Sequence, residues 1–300
     1  MIPQLVNIVS HGDEGLASHR MRCKLPMELI NQYASDQYKV NISQSASMDY
    51  DINIFHKHME PAKNYHEAIQ LSDLSKIMFD ICDDHFDRGH GEYYESMCST
   101  AHTITCNTAN MQKRIYEVTG RLAPICSDPI TFPFHDHKYS ENPDVVWYGH
   151  ASNVFSILPY ANKINNVTII TNNRLPHSEA RTKFWKPDLV EDTISMYEIV
   201  VIPNISTPEA KNKSPNRAVD ALHAGRFVIA EAEEVYGELL PFIFLGPIEE
   251  GIRFYKQNPE KVMDMIKKGQ EYVIEKYNHK VICDQWLDAL KYEDFTRYEK

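Results

Sequence analysis

Between positions 211 and 230 the chain reads KNKSPNRAVDALHAGRFVIA, which sets Lys211, Lys213 and Arg217 around a hydroxyl (Ser214) and an amide (Asn216). A short helical pattern and an apolar run follow at once. Ser214 is a good helix cap and Pro215 a preferred first helical residue, so the spacing predicts a helix that starts at this cluster. The free N–H groups and positive dipole end of such a start favour an anion. Arg217 would add a planar fork suited to phosphate, and Lys213 a point charge. Asp220, on the same expected face as Asn216 and Arg217, could accept hydrogen bonds from a ribose, with Ala218, Val219, Ala221 and Leu222 turned away. The alternative is a capped surface helix with an ordinary Arg217–Asp220 pair.

Other clusters fall where strands should end. SHGDEGLASHRMR, positions 10–22, follows the first apolar run. Gly12, Gly15 and Ser18 would let backbone N–H groups approach a ligand, and Arg20 and Arg22 could meet phosphate or an anionic acceptor. DICDDHFD, positions 80–87, suggests either a hard metal or contacts to a sugar or acceptor, among them Asp84. Gly149, His150 and Asn153 follow VVWY, and the Gly permits close ligand approach. Asn172 and Asn204, with Asn173 and Pro203, are expected beside a nucleotide base. His56-Lys-His58 and His135-Asp-His137 supply too few ligands for a metal centre, and none is predicted.

Something must bring these loops together. Apolar runs over 4–10, 39–42, 51–55, 76–82, 102–106 and 123–127 alternate with helical spacing at 18–33, 64–71 and 109–119, which gives βαβ units and a mainly parallel sheet. A second series starts at Val145, Val167, Ile199, Arg226 and Phe242. Between the series, positions 131–143 (TFPFHDHKYSENP) carry no period and read as a linker. Two α/β domains are therefore expected, residues 1–138 and 139–300, with facing loops forming a cleft. Helical spacing fills the chain after Pro259, with a break near Tyr277.

The chain has 300 residues, 43% of them hydrophobic, enough for proper cores. With 31 basic and 42 acidic residues the net charge is −11, so nonspecific binding to nucleic acid is not expected and any anion site must be local. Six cysteines without C-x-x-C spacing fit reduced thiols. No leader pattern or long apolar run is visible, and a cytoplasmic protein is expected.

The element order and KSPNRAVDALHAGRFVIA resemble the C-terminal domain of GT-B glycosyltransferases, particularly retaining enzymes of family 4. SHGDEGLASHRMR is similar to the G-x-A-S-x-R-x-R loop of bacterial GT-B sequences. The resemblance implies two Rossmann-like domains, an N-terminal acceptor side and a C-terminal nucleotide-sugar side, with the last helix crossing back. It implies retaining hexosyl transfer to a glycan, lipid-linked or other hydroxyl acceptor, without metal and with the nucleotide sugar as co-substrate in place of a cofactor. Lys213 and Arg217 would hold the diphosphate and His85 would lie near the transferred sugar. Those enzymes commonly place two glutamates eight residues apart; here Asp220 takes the second position and Asn212 the first, so the acidic pair is incomplete. An epimerase or hydrolase on the same fold, or a nonenzymatic sugar-nucleotide-binding protein, are the other readings.

Overall fold

The computed structural model describes residues 2–12, 15–57, 60–161, 163–164, 167–173, 181–186, 193–203, 210–231 and 233–294. The chain divides into two compact units, Met1–Pro129 with Asn212–Ser214 and Tyr277–Lys300, and Ile130–Lys211 with Pro215–Lys276.

In the first unit β1 (Gln4–Val9), β2 (Tyr38–Ser43), β3 (Ile52–His56), β4 (Lys76–Ile81) and β5 (Thr103–Cys106) form a parallel sheet in the order β2-β1-β3-β4-β5. Every residue of β3 is buried, and all of β4 beyond Lys76, as expected for strands covered on both faces. One face packs on helices Leu25–Tyr33 and His279–Lys291, bringing Leu29, Ile30, Trp286 and Leu290 against Ile8 and Ile54. The other carries Gly91–Thr100 and Ala109–Thr119, with Tyr94, Met97 and Ile115 against Phe79 and Ile104. The run at 123–127, expected to be a strand, makes only a bridge between Cys106 and Ile125. Pro124 has no N–H to extend the ladder.

The second sheet joins β6 (Val145–Tyr148), β7 (Val167–Thr171), β8 (Arg181–Phe184), β9 (Ile199–Ile202), β10 (Phe227–Ala230) and β11 (Phe244–Leu245), all parallel, in the order β11-β10-β9-β6-β7-β8. Its core sets Trp147, Ile169 and Phe227 against Tyr255, Val262 and Ile266. β8 went unread in the sequence because all four of its residues are exposed.

Residues 131–143 have no regular structure, yet they pack as a strap on the second unit rather than run as a free linker. Asp220 accepts from Thr131 N at 2.7 Å, Thr131 Oγ1 at 2.8 Å and Phe132 N at 3.4 Å. His223 bonds the Phe132 carbonyl, Arg226 donates to that of Asp136, and Gln270 to that of His135. Backbone groups that would form a ladder elsewhere are satisfied here by side chains, so the segment needs no period of its own. Gly225, at φ +73°, ends the helix beneath the strap, and a Cβ there would lie 2.2 Å from the His135 carbonyl oxygen. Gly225→Ala is therefore expected to cost at least about 2 kcal/mol of unfolding free energy in urea titration. A change within experimental error would show that the strap can shift freely.

Candidate functional site

Each sheet has one point where strand order reverses, and the crevice beyond the strand ends at such a point is where parallel α/β sheets bind ligands. In the second unit it lies between β6 and β9. β6 ends on Tyr148, and Gly149 turns the chain away; a Cβ on Gly149 would sit 3.1 Å from the Trp147 ring and 3.6 Å from Arg217 Nη1. The Arg217 guanidinium donates to the Tyr148 carbonyl at 3.5 Å, while the Tyr148 hydroxyl donates to the Arg217 carbonyl at 2.7 Å. These two contacts fasten the start of helix Asn216–His223 to the β6 turn. Beside them His150 caps a short helical stretch through Ser152 N, and Asn172 Oδ1 accepts from Ala151 N at 2.8 Å. Gly149, His150, Asn153, Asn172 and Arg217 thus gather at the carboxyl ends of β6 and β7.

Three expectations about this segment change. The helix is capped by Pro215 without a side-chain bond, so Ser214 is not the cap; Asn216 Oδ1 accepts from Arg217 N at 2.9 Å instead. Asp220 is buried at 3% exposure with both oxygens on the strap, which leaves it a structural anchor and not a ribose contact. Lys213 and Ser214 group with the first unit and Arg217 with the second. Asn204 lies outside the described residues.

In the first unit the reversal falls between β1 and β3. Ser10 Oγ pairs with His19 Nδ1 at 2.9 Å and accepts from Gly12 N at 3.3 Å. Gly12, Ser18 and Arg20 are partly exposed and Gly15 exposed around this turn. Arg22, expected in the same loop, is 1% exposed and faces inward. Its guanidinium donates to Asp80 through Nη2 at 2.6 Å and Nε at 3.1 Å, to Asp128 at 3.2 Å and to the Cys126 carbonyl, with the Trp286 ring 5.0 Å away. With its donors spent on the fold, Arg22 is not a ligand-loop residue. A π-helical turn over Arg20–Lys24, which the helical spacing of 18–33 does not reveal, carries it.

β4 then delivers DICDDHFD. Asp80 accepts also from His56 Nδ1 at 3.1 Å and Thr105 Oγ1 at 2.8 Å. Burial pushes the Asp80 carboxyl up, but Arg22 and His56 overcome it and hold it well below the usual range. Asp83 bonds Lys57 at 2.6 Å, and against burial Lys57, then Lys213 and His85, keep its carboxyl low. Asp84 is taken by Arg114 at 3.2 Å and by the Asn212 amide at 2.7 Å. His85 is half-buried with its basicity lowered, chiefly by burial, so its ring is neutral near pH 7. Among the described residues no group of three or more His, Cys, Asp or Glu is placed to hold a metal ion. His137 bonds the Gly225 carbonyl and Tyr255, and His58 lies outside the described residues. Sequence reasoning missed Lys57, a non-glycine residue at φ 58°; its only signal was an H-K-H run at the end of a buried strand.

All six cysteines are buried and unpaired. No described helix is long and apolar enough to cross a membrane.

No family model matches the chain, and no curated protein matches it. Solved structures do. Anabaena HepE in complex with UDP and glucose is similar at a TM-score of 0.70 and 11% identity, over 96% of this chain and 99% of that one. An alpha-glucosyltransferase in complex with UDP-glucose and DNA containing an abasic site follows at 0.63 and 10%, over 96% and 99%. The DNA-modifying enzyme beta-glucosyltransferase stands at 0.60 and 11%, over 96% and 100%. The expected two Rossmann-like α/β domains of the GT-B kind are thus the ones observed.

The buried network makes the fold sensitive to acid. Burial lowers the His56 basicity despite Asp80, so the unfolded chain takes up that proton first; the stability is present above about pH 6.5 and lost as pH falls. His137, pushed down to about 4 by burial, acts in the same direction. Urea midpoints should therefore drop from pH 7.5 to pH 5.5, and His56→Asn, which keeps a donor for Asp80 but does not titrate, should drop less. Equal slopes would remove His56 from the account.

Proposed function

We propose that this chain is a glycosyltransferase that moves a sugar from a nucleotide-sugar donor to a hydroxyl acceptor, with the donor on the second unit. What carries the reading is the Arg217 guanidinium fastened beside the Gly149 turn at the strand-order reversal of the second sheet, on a fold shared with proteins solved with UDP or UDP-glucose. Gly149, lacking a Cβ, leaves room for the Trp147 ring and the Arg217 guanidinium at the strand end, and the fork of an arginine matches the oxygens of a phosphate.

In the reaction the bond from the anomeric carbon to the diphosphate oxygen breaks, and a bond from that carbon to the acceptor oxygen forms. The electron pair leaves with the nucleoside diphosphate. Arg217 would offset the developing charge by preorganised electrostatics and without a metal. Retention follows the resemblance of KSPNR to family 4, with the departing phosphate oxygen taking the acceptor proton. The carboxylates at the end of β4 agree with that assignment, since Asp80 and Asp83 are held ionised by cations and make poor proton acceptors. His85, neutral and half-buried, can take a hydrogen bond from a sugar hydroxyl. A hexosyl donor is in keeping with the UDP-glucose complexes of the similar structures. Nucleic acid returns to the possible acceptors. Overall charge weighs against it only on average, and a protein of this fold is solved with DNA.

Arg217→Ala should weaken donor affinity by roughly ten- to more than a hundredfold in calorimetry with UDP-glucose, the loss of one charge-assisted contact. Arg217→Lys should rescue poorly, because an ammonium restores charge but not the fork. Arg253→Ala, an exposed cation on another helix, is the control. Turnover should persist in excess EDTA, with nucleoside diphosphate and glycosylated product appearing together; product without acceptor, or binding without turnover, would favour a hydrolase or a binding protein. Unchanged affinity in a folded Arg217→Ala protein would sink the site.

A further inference from the structure

We propose that residues 181–186 (RTKFWK), the exposed edge of the second sheet, are a binding strip for single-stranded nucleic acid. Among the described residues β8 pairs with β7 on one side only and is the last strand of the sheet. Arg181, Thr182, Lys183 and Phe184 are all exposed, Phe184 at 61%, and Lys186 is exposed beyond them. Three cations and two aromatic rings therefore occupy six consecutive positions without a carboxylate, in a chain whose net charge is −11. Among the described residues no carboxylate lies within ion-pairing distance of Arg181, Lys183 or Lys186. The Lys183 ammonium sits 5.3 Å from the centre of the Tyr197 ring.

Charged residues on an edge strand alone would be explained as a guard against pairing with another sheet. Phe184 defeats that explanation, since an exposed ring beside an open edge invites association. Cations for phosphates next to flat rings for bases are what a single strand requires of a protein surface, and an acidic peptide would have no use for the rings. Strand geometry puts Arg181 and Lys183 on one face, with Thr182 and Phe184 on the other, so the two kinds of contact flank the same edge. Binding here needs no nucleotide sugar, and it holds whether or not the chain transfers one.

The test is fluorescence anisotropy of a labelled oligothymidylate of about 15 nucleotides at roughly 50 and 200 mM salt. The wild-type chain should bind, more weakly in the higher salt. Replacing Arg181, Lys183 and Lys186 together by Ser should cost at least roughly tenfold and flatten the logarithmic salt slope by about 2. Phe184→Ala should cost roughly five- to a hundredfold with the slope unchanged. A charge-matched control replaces the exposed Lys256, Lys267 and Lys276 by Ser and should bind as wild type. UDP-glucose calorimetry on the same proteins reads the transferase site separately. The proposal is overturned by absent binding, by equal losses in both triple variants, by equal competition from polyglutamate, or by a dimer in sedimentation that Phe184→Ala dissolves.

Discussion

Arg22 is buried beneath the carboxyl ends of the first sheet, and much of that unit is arranged around satisfying it. Taking a guanidinium out of water costs several kcal/mol, which only a full set of hydrogen bonds and opposite charge offsets. Asp80 from β4, Asp128 and Cys126 from the stretch after β5, and Trp286 from the last helix converge on the one side chain. Deleting such a cation and leaving Asp80 behind costs about 3–5 kcal/mol in comparable buried pairs. The pair thereby fixes where β4 ends and where Asp83, Asp84 and His85 emerge.

The second unit solves its positioning problem with a carboxylate as well. Asp220 holds the strap at Thr131 and Phe132, and Tyr148 and Arg217 exchange bonds at the other end of the same short helix. One face of eight residues thus joins a coil segment to the β6 turn. The guanidinium at the turn keeps a geometry that free solvent would not give it, and a preformed cation is what a diphosphate binds with least reorganisation.

The two parallel sheets were legible because their strands are buried on both faces and read as continuous apolar runs, such as INIFH and VVWY. The break before His279 was legible too, where Asn278 caps the last helix. β8 was not, since RTKF has no apolar face to reveal it. The direction of charged side chains was the harder matter. Spacing put Arg22 in a binding loop and Asp220 on a binding helix face, but long-range partners 58 and 89 residues away turned both into the fold. Residue type at a strand end says that a group could meet a ligand; burial and the competing partners decide whether it does. Gly149 and Arg217 lie at a strand end and a helix start, local features that residue spacing can read.

Hydrogen–deuterium exchange with and without UDP-glucose tests most directly whether the donor docks on the second unit. Bound donor should slow exchange at the backbone amides of Gly149, Ala151 and Ser152 and at those of Arg217 and Ala218, with residues around Gly12 and Ser18 unchanged. Slowed exchange confined to the first unit, or none at the β6 turn when the donor is saturating, would contradict it.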